Sequence, residues 1–428
     1  MDKLILCILL SSVGLNARIH QYLYAATAPA CPSSGGADCS AYPASQGYIN
    51  VYDINNGHSL VKTIRLPTTV RSIRGIFGHA GTNALYLANY GVTDTNNNTT
   101  SARLLRLNLT TDDTVYDVSY SLAAIDRACI SSDGSTIYAP AGEGVQSDTY
   151  RSTWYVIRAA DGTETGTISL SNGAIGPHNT ICDTNTVYMG AIDVPGGDIG
   201  DHSVTVYNVI AGTQTTVGNF TAGTGRVRPF TADKPHGLVY VNLEDWIGFA
   251  VGRVSDGAVL YDSQAPPGYV QPGTTNVVQS HGIALTPNGD KLYVADPINR
   301  PSHGVEVWDV SSVRNGTAPT YLNFIPTATD LHVYDGRTPG WLAMSYDGRY
   351  LYPETGEVIS TATDTVVGQL TDPGQSDGSG NMRTRFMMEV DFAGPFPILV
   401  GEQFGTGHCA FSFHRLMARV LPVCRDQR

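Results

Sequence analysis

The sequence predicts an all-β fold, a seven-bladed β-propeller of four-stranded antiparallel blades, and two observations carry that expectation. The first is a phrase that recurs seven times, a tyrosine among apolar residues followed by a small or turn-forming one: Tyr24-Ala25-Ala26, Tyr86-Leu87-Ala88, Tyr138-Ala139-Pro140, Tyr188-Met189-Gly190, Tyr240-Val241-Asn242, Tyr293-Val294-Ala295 and Tyr352-Pro353. Successive tyrosines lie 62, 52, 50, 52, 53 and 59 residues apart, a period that suits propeller blades built from short strands. The second is composition. With 46 glycines, 23 prolines and 23 tyrosines in 428 residues, and 42% hydrophobic against 15% charged residues, the chain suits many short strands, tight turns and apolar cores between blades. Length alone suggests two or three domains. A closed ring of seven repeats makes it one, expected over residues 18–428.

Residues 1–17 read as a secretory signal. Lys3 gives the positive start, Leu4 to Leu15 form an apolar run too short to span a bilayer, and Ala17 offers a small residue for cleavage. A cut near Ala28 would remove the Tyr24 strand, so the earlier one is preferred. Five Asn-x-Ser/Thr sites, at Asn97, Asn98, Asn108, Asn219 and Asn315, agree with export and N-glycosylation. Once Cys7 is removed, six cysteines remain, an even number in an oxidising compartment. Cys31 and Cys39 can close a local loop. Cys129 and Cys182 fall inside expected inner strands, where free buried thiols are the alternative to a disulfide. The net charge of −12 excludes nucleic-acid binding through a general basic field. No Cys/His zinc spacing is present, no cofactor is expected, and no motif supports a structural calcium ion. The chain is expected to be a secreted monomer acting away from membranes.

One stretch shows how a blade is laid out. Strand A follows Ser280-His281-Gly282, Asn288-Gly289 marks a hairpin turn, Tyr293 lies on strand B, and Gly304 to Val310 alternate as a half-buried strand C before a weaker strand D. Similar pieces recur at Ser132-Asp133-Gly134-Ser135-Thr136-Ile137-Tyr138 and at Ser345-Tyr346-Asp347-Gly348-Arg349-Tyr350. The pattern resembles the YVTN-type seven-bladed propellers, a group compared with the β-chain of quinoprotein amine dehydrogenases. The resemblance spans nearly all of the mature chain and implies the fold, but no residue pattern would carry a tryptophan-derived quinone. In overall pattern the chain also resembles propeller proteins of fungal secondary-metabolite clusters, particularly the trichothecene cluster. That likeness implies cyclisation or rearrangement of an oxygenated sesquiterpenoid.

Tyr24 lies too near the cleavage point to have a strand A before it, whereas Thr406 to Phe413 look like a strand A with no strand B after it. The C-terminal segment is therefore expected to close the first blade by pairing with the N-terminal strand, leaving no open edge.

In a propeller, the residue just before each strand A faces the channel mouth. These positions, 10 to 12 before each repeat tyrosine, are Arg74, Arg127, His178, Arg228, His281 and Trp341, with His408 from the closing segment. Loops between strands B and C open on the same face and carry Asn89, Glu143, Asp193, Asn242, Glu244, Asp296 and Glu354. Long loops on a rigid scaffold commonly hold function, and the opposite face has only short turns. Two readings stand. Each Arg or His pairs with an acid of the next blade and holds the ring closed, or the ring binds an anionic or carbonyl-bearing small molecule. In the second, His178 and His281 are candidate acid and base, arginine stabilises an oxyanion, and Arg74, Arg127, Arg228, Trp341, His408, Asp296 and Glu354 contact substrate. The expected activity is a cofactor-independent cyclase, isomerase or lyase. Alternatives are a non-catalytic propeller that binds a glycan or partner protein, and an acidic-sugar lyase. His79 and His236 read as surface histidines at turns, Trp246 and Trp308 as packing. Gly374 to Gly378 match a nucleophile elbow only in spacing, with no strand before or helix after them.

Overall fold

In the computed structural model, the described residues are 19–27, 47–70, 73–89, 101–121, 124–141, 152–170, 175–193, 202–223, 226–243, 246–268, 280–296, 303–327, 340–374, 380–401 and 408–409. They form seven antiparallel sheets arranged as the blades of one ring. Blade 2 comprises β4 to β7, running from Ile73–His79 through Ala84–Asn89 and Arg103–Asn108 to Thr114–Ser119. Blades 3 to 7 repeat this layout. Their inner strands are β8 (Cys129–Ile130), β12 (Ile175–Cys182), β16 (Val227–Asp233), β20 (Ile283–Leu285) and β24 (Leu342–Met344).

The repeat tyrosines explain their own periodicity. All seven are buried on strand B. Several pass the hydroxyl to the outer turn of the next blade: Tyr86 donates to the Ala159 carbonyl at 3.1 Å, Tyr293 to Asp364 at 2.8 Å, and Tyr352 meets His58 Nε2 at 3.0 Å. An aromatic ring fills the space between two sheets while its polar tip finds a partner at the rim. A strut of one length then recurs wherever two blades meet.

Blade 1 closes the ring with strands from both ends of the chain, as expected, but through a different C-terminal segment. Strand β1 (Ile19–Thr27) pairs with β2 (Tyr48–Asp53) on one side and with β28 (Phe386–Ala393) on the other, and β3 (Ser59–Arg65) completes the blade. The inner strand is therefore β28, not Thr406 to Phe413. Strand β29 (Phe396–Val400) turns back along the axis side of β28, and the short β30 (His408–Cys409) pairs with β29. Glu389 and Asp391 make β28 alternate like a strand with one solvent-facing side, yet both are buried here, which disguises the inner strand in sequence.

Cys129 and Cys182 form a disulfide between the inner strands of blades 3 and 4, so they are not free thiols. His79, expected at the surface, is buried. Its Nδ1 accepts from the Thr82 amide in the turn that follows β4, and its Nε2 meets the Ser132 carbonyl of blade 3 at 3.1 Å. His236 sits at its turn against Asp233 at 2.8 Å. The signal segment, Cys31, Cys39, Asn97, Asn98 and residues 375–378 lie outside the described residues. Asn219 and Asn315 are exposed, whereas the Asn108 side chain caps its own turn by accepting from the Thr110 and Thr111 amides.

Candidate functional site

Strand starts converge at the channel mouth because each inner strand begins at the same height on the ring. Arg127 precedes β8 and reaches from blade 3 to blade 7, where its guanidinium carbon lies 3.3 Å from the centroid of the Trp341 ring. Phe386 flanks the same guanidinium at 6.0 Å. His281 presents an edge to Trp341 at 5.0 Å and His178 lies nearly parallel to it at 6.3 Å, with the two imidazoles themselves 6.3 Å apart. Residues 127, 178, 281 and 341 are separated by up to 214 positions in the chain and share one cluster.

Local backbone chemistry makes this approach possible. Gly340 adopts φ +102°, which a side-chain-bearing residue rarely tolerates, and a Cβ on Gly282 would lie 1.5 Å from the Gly340 carbonyl oxygen. Glycine at both places lets the strand starts of blades 6 and 7 touch, seating Trp341 beside His281. Trp341 is also held by its own blade: its amide donates to Glu354 Oε2 at 3.3 Å, and Arg385 Nε donates to the same oxygen at 3.0 Å.

A carboxylate one residue before the ring position of blade 3 organises the cations. Asp126 is fully buried. It accepts from Arg74 Nη2 at 3.0 Å, from the Arg127 amide at 3.0 Å and from Arg127 Nη1 at 3.3 Å, and it stands 3.9 Å from His178 Nε2. One acid thus joins blades 2, 3 and 4, and backbone bridging between Arg127 and Asn179 reinforces the junction. Paired and hydrogen-bonded in this way, a buried charge is tolerated that would otherwise be expelled.

The protonation of His178 follows from its neighbour. Arg127 Nη1 lies 3.2 Å from His178 Nε2, and a guanidinium nitrogen can only donate. Nε2 therefore carries a lone pair, and the ring is neutral with its proton on Nδ1. A neutral imidazole beside a fixed cation is a proton acceptor whose conjugate acid forms next to a positive charge, and Asp126 offsets that charge.

Of the expected site residues, Arg127, His178, His281 and Trp341 form the cluster and Arg74 joins it through Asp126. Glu354 supports Trp341 from below. Asp296 is buried at the end of β21 (Lys291–Asp296) on the same face. The side chains of Arg228, Asp193 and His408, and residues Glu143 and Glu244, lie outside the described ones. His408 is not the seventh ring position: with β28 as the inner strand, that place falls to Arg385. Arg385 is hidden in sequence because Thr406 to Phe413 read more like an inner strand than Phe386 to Ala393 do. Among the described residues, no group of three or more His, Cys, Asp or Glu stands close enough to hold a metal ion. The donor set offers cations and aromatic faces instead.

No protein-family model matches the chain, and no curated protein matches it. Solved structures do. The periplasmic gluconolactonase PpgL of Pseudomonas aeruginosa aligns with a TM-score of 0.55 at 15% identity, over 91% of this chain and 98% of that one. U3-55K aligns with a TM-score of 0.51 at 12% identity, over 72% and 84% of the two chains. The WD40 repeats of RRP9 give 0.50 at 12% identity, over 72% and 83%. At these identities the likeness shows the propeller fold, which hosts unrelated activities.

Proposed function

We propose that this protein is a small-molecule enzyme that moves protons at the channel mouth. The observation that carries the reading is the buried convergence of Arg127, His178 and His281 on Trp341, with Arg127 Nη1 3.2 Å from His178 Nε2. As the substrate oxygen draws the Arg127 guanidinium away from His178 Nε2, the freed lone pair takes a proton from a substrate hydroxyl or activated carbon. His281, across the Trp341 ring, returns one to the departing or newly formed oxygen. Arg127, fixed by Asp126 and Trp341, faces the oxygen on which charge develops, where a preorganised cation is most effective. The substrate class is a carbonyl-bearing or anionic oxygenated molecule, and the reaction class is ring opening, ring closure, isomerisation or elimination. One fold neighbour, at 15% identity, is a periplasmic gluconolactonase. The resemblance to the trichothecene-cluster propellers supports an oxygenated sesquiterpenoid as the finer choice. The disulfide supports an oxidising compartment.

One observation favours a second reading. Arg127, His178, His281 and Trp341 are each 1–4% exposed, as a purely structural tie across the ring would be, and the loop face would then bind a glycan or protein without turnover.

Assays with glucono-1,5-lactone, a polyuronide and an oxygenated sesquiterpene alcohol, read by proton release, ultraviolet absorbance and product chromatography, separate these readings. Turnover of one probe should fall about 100-fold or more in His178→Gln and in His281→Gln, with the melting temperature nearly unchanged. Turnover that survives both substitutions overturns the assignment. Saturable binding without turnover, equal in wild type and both variants, establishes the binding-module reading instead.

A further inference from the structure

At the opposite end of the channel, the closing strand carries two acids on one face. Glu389 and Asp391 are alternate residues of β28, 1% and 5% exposed, and they face blade 7 where β1, β28 and the turn 345–349 meet. Both oxygens of Glu389 already accept hydrogen bonds, Oε1 from Gln21 Nε2 at 2.9 Å and Oε2 from the Tyr346 amide at 2.7 Å. Gln21 has no freedom to turn its amide. Its Oε1 accepts from Arg349 Nη2 at 2.5 Å and from Asn55 Nδ2 at 3.1 Å, and its backbone amide donates to Asn55 Oδ1 at 2.8 Å. Asp391 Oδ1 is buried and makes no hydrogen bond among the described residues.

We infer that the seam closing the propeller ring is held by one proton shared between Glu389 and Asp391, so that the ring is a proton-loaded latch, tightest under acidic conditions. Two adjacent carboxylates taken out of water cannot both ionise cheaply. The charged and titratable groups that face them are few. Blade 7 contributes Asp347, Arg349, Tyr350 and Tyr352, and the turn after β2 contributes His58 and Asp53. Arg349 is the one cation among these. It is shared with Asp347 and Gln21, so it does not neutralise the pair. His20 and Tyr22 of β1 lie on the other face of the sheet, against Phe392, and the segment Phe396–Val400 of β29 has no titratable side chain. Burial, then the neighbouring acid, push Glu389 well above the usual carboxylate range, and burial raises Asp391 to about 6.

The sign follows from proton linkage. The folded pair holds a proton more tightly than the unfolded chain, so its contribution is complete below the ordinary carboxylate range near pH 4. It is then lost in two steps as pH rises, first through about 6, where Asp391 titrates, and then through the higher range in which Glu389 gives up the remaining proton. Asp391→Asn replaces the shared proton with a permanent amide donor to Glu389. Melting temperatures of the full chain across about pH 4.5 to 8 should show wild type declining relative to Asp391→Asn, by about 2–5 °C over the range. Wild type should also show a protonated-carboxyl infrared band near neutral pH that Asp391→Asn lacks. Parallel melting curves, or identical infrared spectra, overturn the inference. If Asp391→Asn does not fold, Glu389→Gln makes the same test from the other partner.

Discussion

The two ends of the channel bury carboxylates in different ways. At the mouth, Asp126 is neutralised by Arg74 and Arg127, which converge on it from blades 2 and 3. At the seam, the nearby cation Arg349 is engaged by Asp347 and Gln21 rather than by Glu389 or Asp391, and the inferred shared proton stands in place of a counter-ion. The difference lies in which residues each end of the repeat supplies. Strand starts carry Arg and His, so cations gather where inner strands begin. Inner strands end in acidic turns such as Ser131-Ser132-Asp133-Gly134 and Ser345-Tyr346-Asp347-Gly348, where glycine takes φ +72° and the aspartate caps the turn by accepting from neighbouring amides. Acids therefore collect at the far end, and a carboxylate buried there finds few cations. The same scaffold thus builds an ion-paired mouth and a protonated base.

The largest break in that contrast should come from Asp126→Asn. It leaves the buried Arg127 and the part-buried Arg74 without their shared anion, and breaking a buried pair from one side costs about 3–5 kcal/mol. Denaturant unfolding should show a loss of that size, and a loss below about 1 kcal/mol would mean that water or another acid already compensates the arginines. Next comes the covalent staple between the inner strands of blades 3 and 4, the one disulfide among the described residues. Cys129 lies two residues after Arg127, and its disulfide to Cys182 closes a separation of 53 residues. Replacing both cysteines by alanine should cost about 2–4 kcal/mol. Hydrogen exchange should then loosen residues 127–130 and 178–182 while β28 keeps its protection. Equal loosening at both ends would show that the ring opens as one unit.

How much of this was legible in sequence depended on what each residue is for. The repeat tyrosines were legible because one interblade distance selects one side chain seven times. Ring positions were legible because strand register repeats, which placed Arg127, His178, His281 and Trp341 together without any knowledge of contacts. The closing strand was not. Glu389 and Asp391 give Phe386 to Ala393 the alternation of a strand with one wet face, whereas that face is buried against blade 7 and wetted by a proton. Asp126 escaped for another reason: comparing one column of the repeat cannot reveal that its neighbour in a single blade gathers two arginines. His79 escaped because a turn histidine looks alike whether it faces solvent or caps the turn and spans to the next blade.

The smallest expected effect asks what holds Arg127 in place, carboxylate or ring. The guanidinium stacks on Trp341 at 3.3 Å, close enough for a cation–π attraction, while Asp126 holds Nη1 at 3.3 Å. Trp341→Phe keeps an aromatic face but shrinks it, so the stack weakens while the ion pair stays. Such an attraction is worth about 1–2 kcal/mol when desolvated, and part of it survives on phenylalanine. A loss of about 1 kcal/mol beyond that from reduced packing is the expected result, obtained from a double-mutant cycle with Arg127→Met. A coupling near zero would assign the arginine wholly to Asp126 and leave the indole as filler between His178 and His281. A coupling equal to the whole loss would make the indole the principal anchor of the cation. In that case a ligand ring sliding over Trp341 would be enough to release Arg127 from His178.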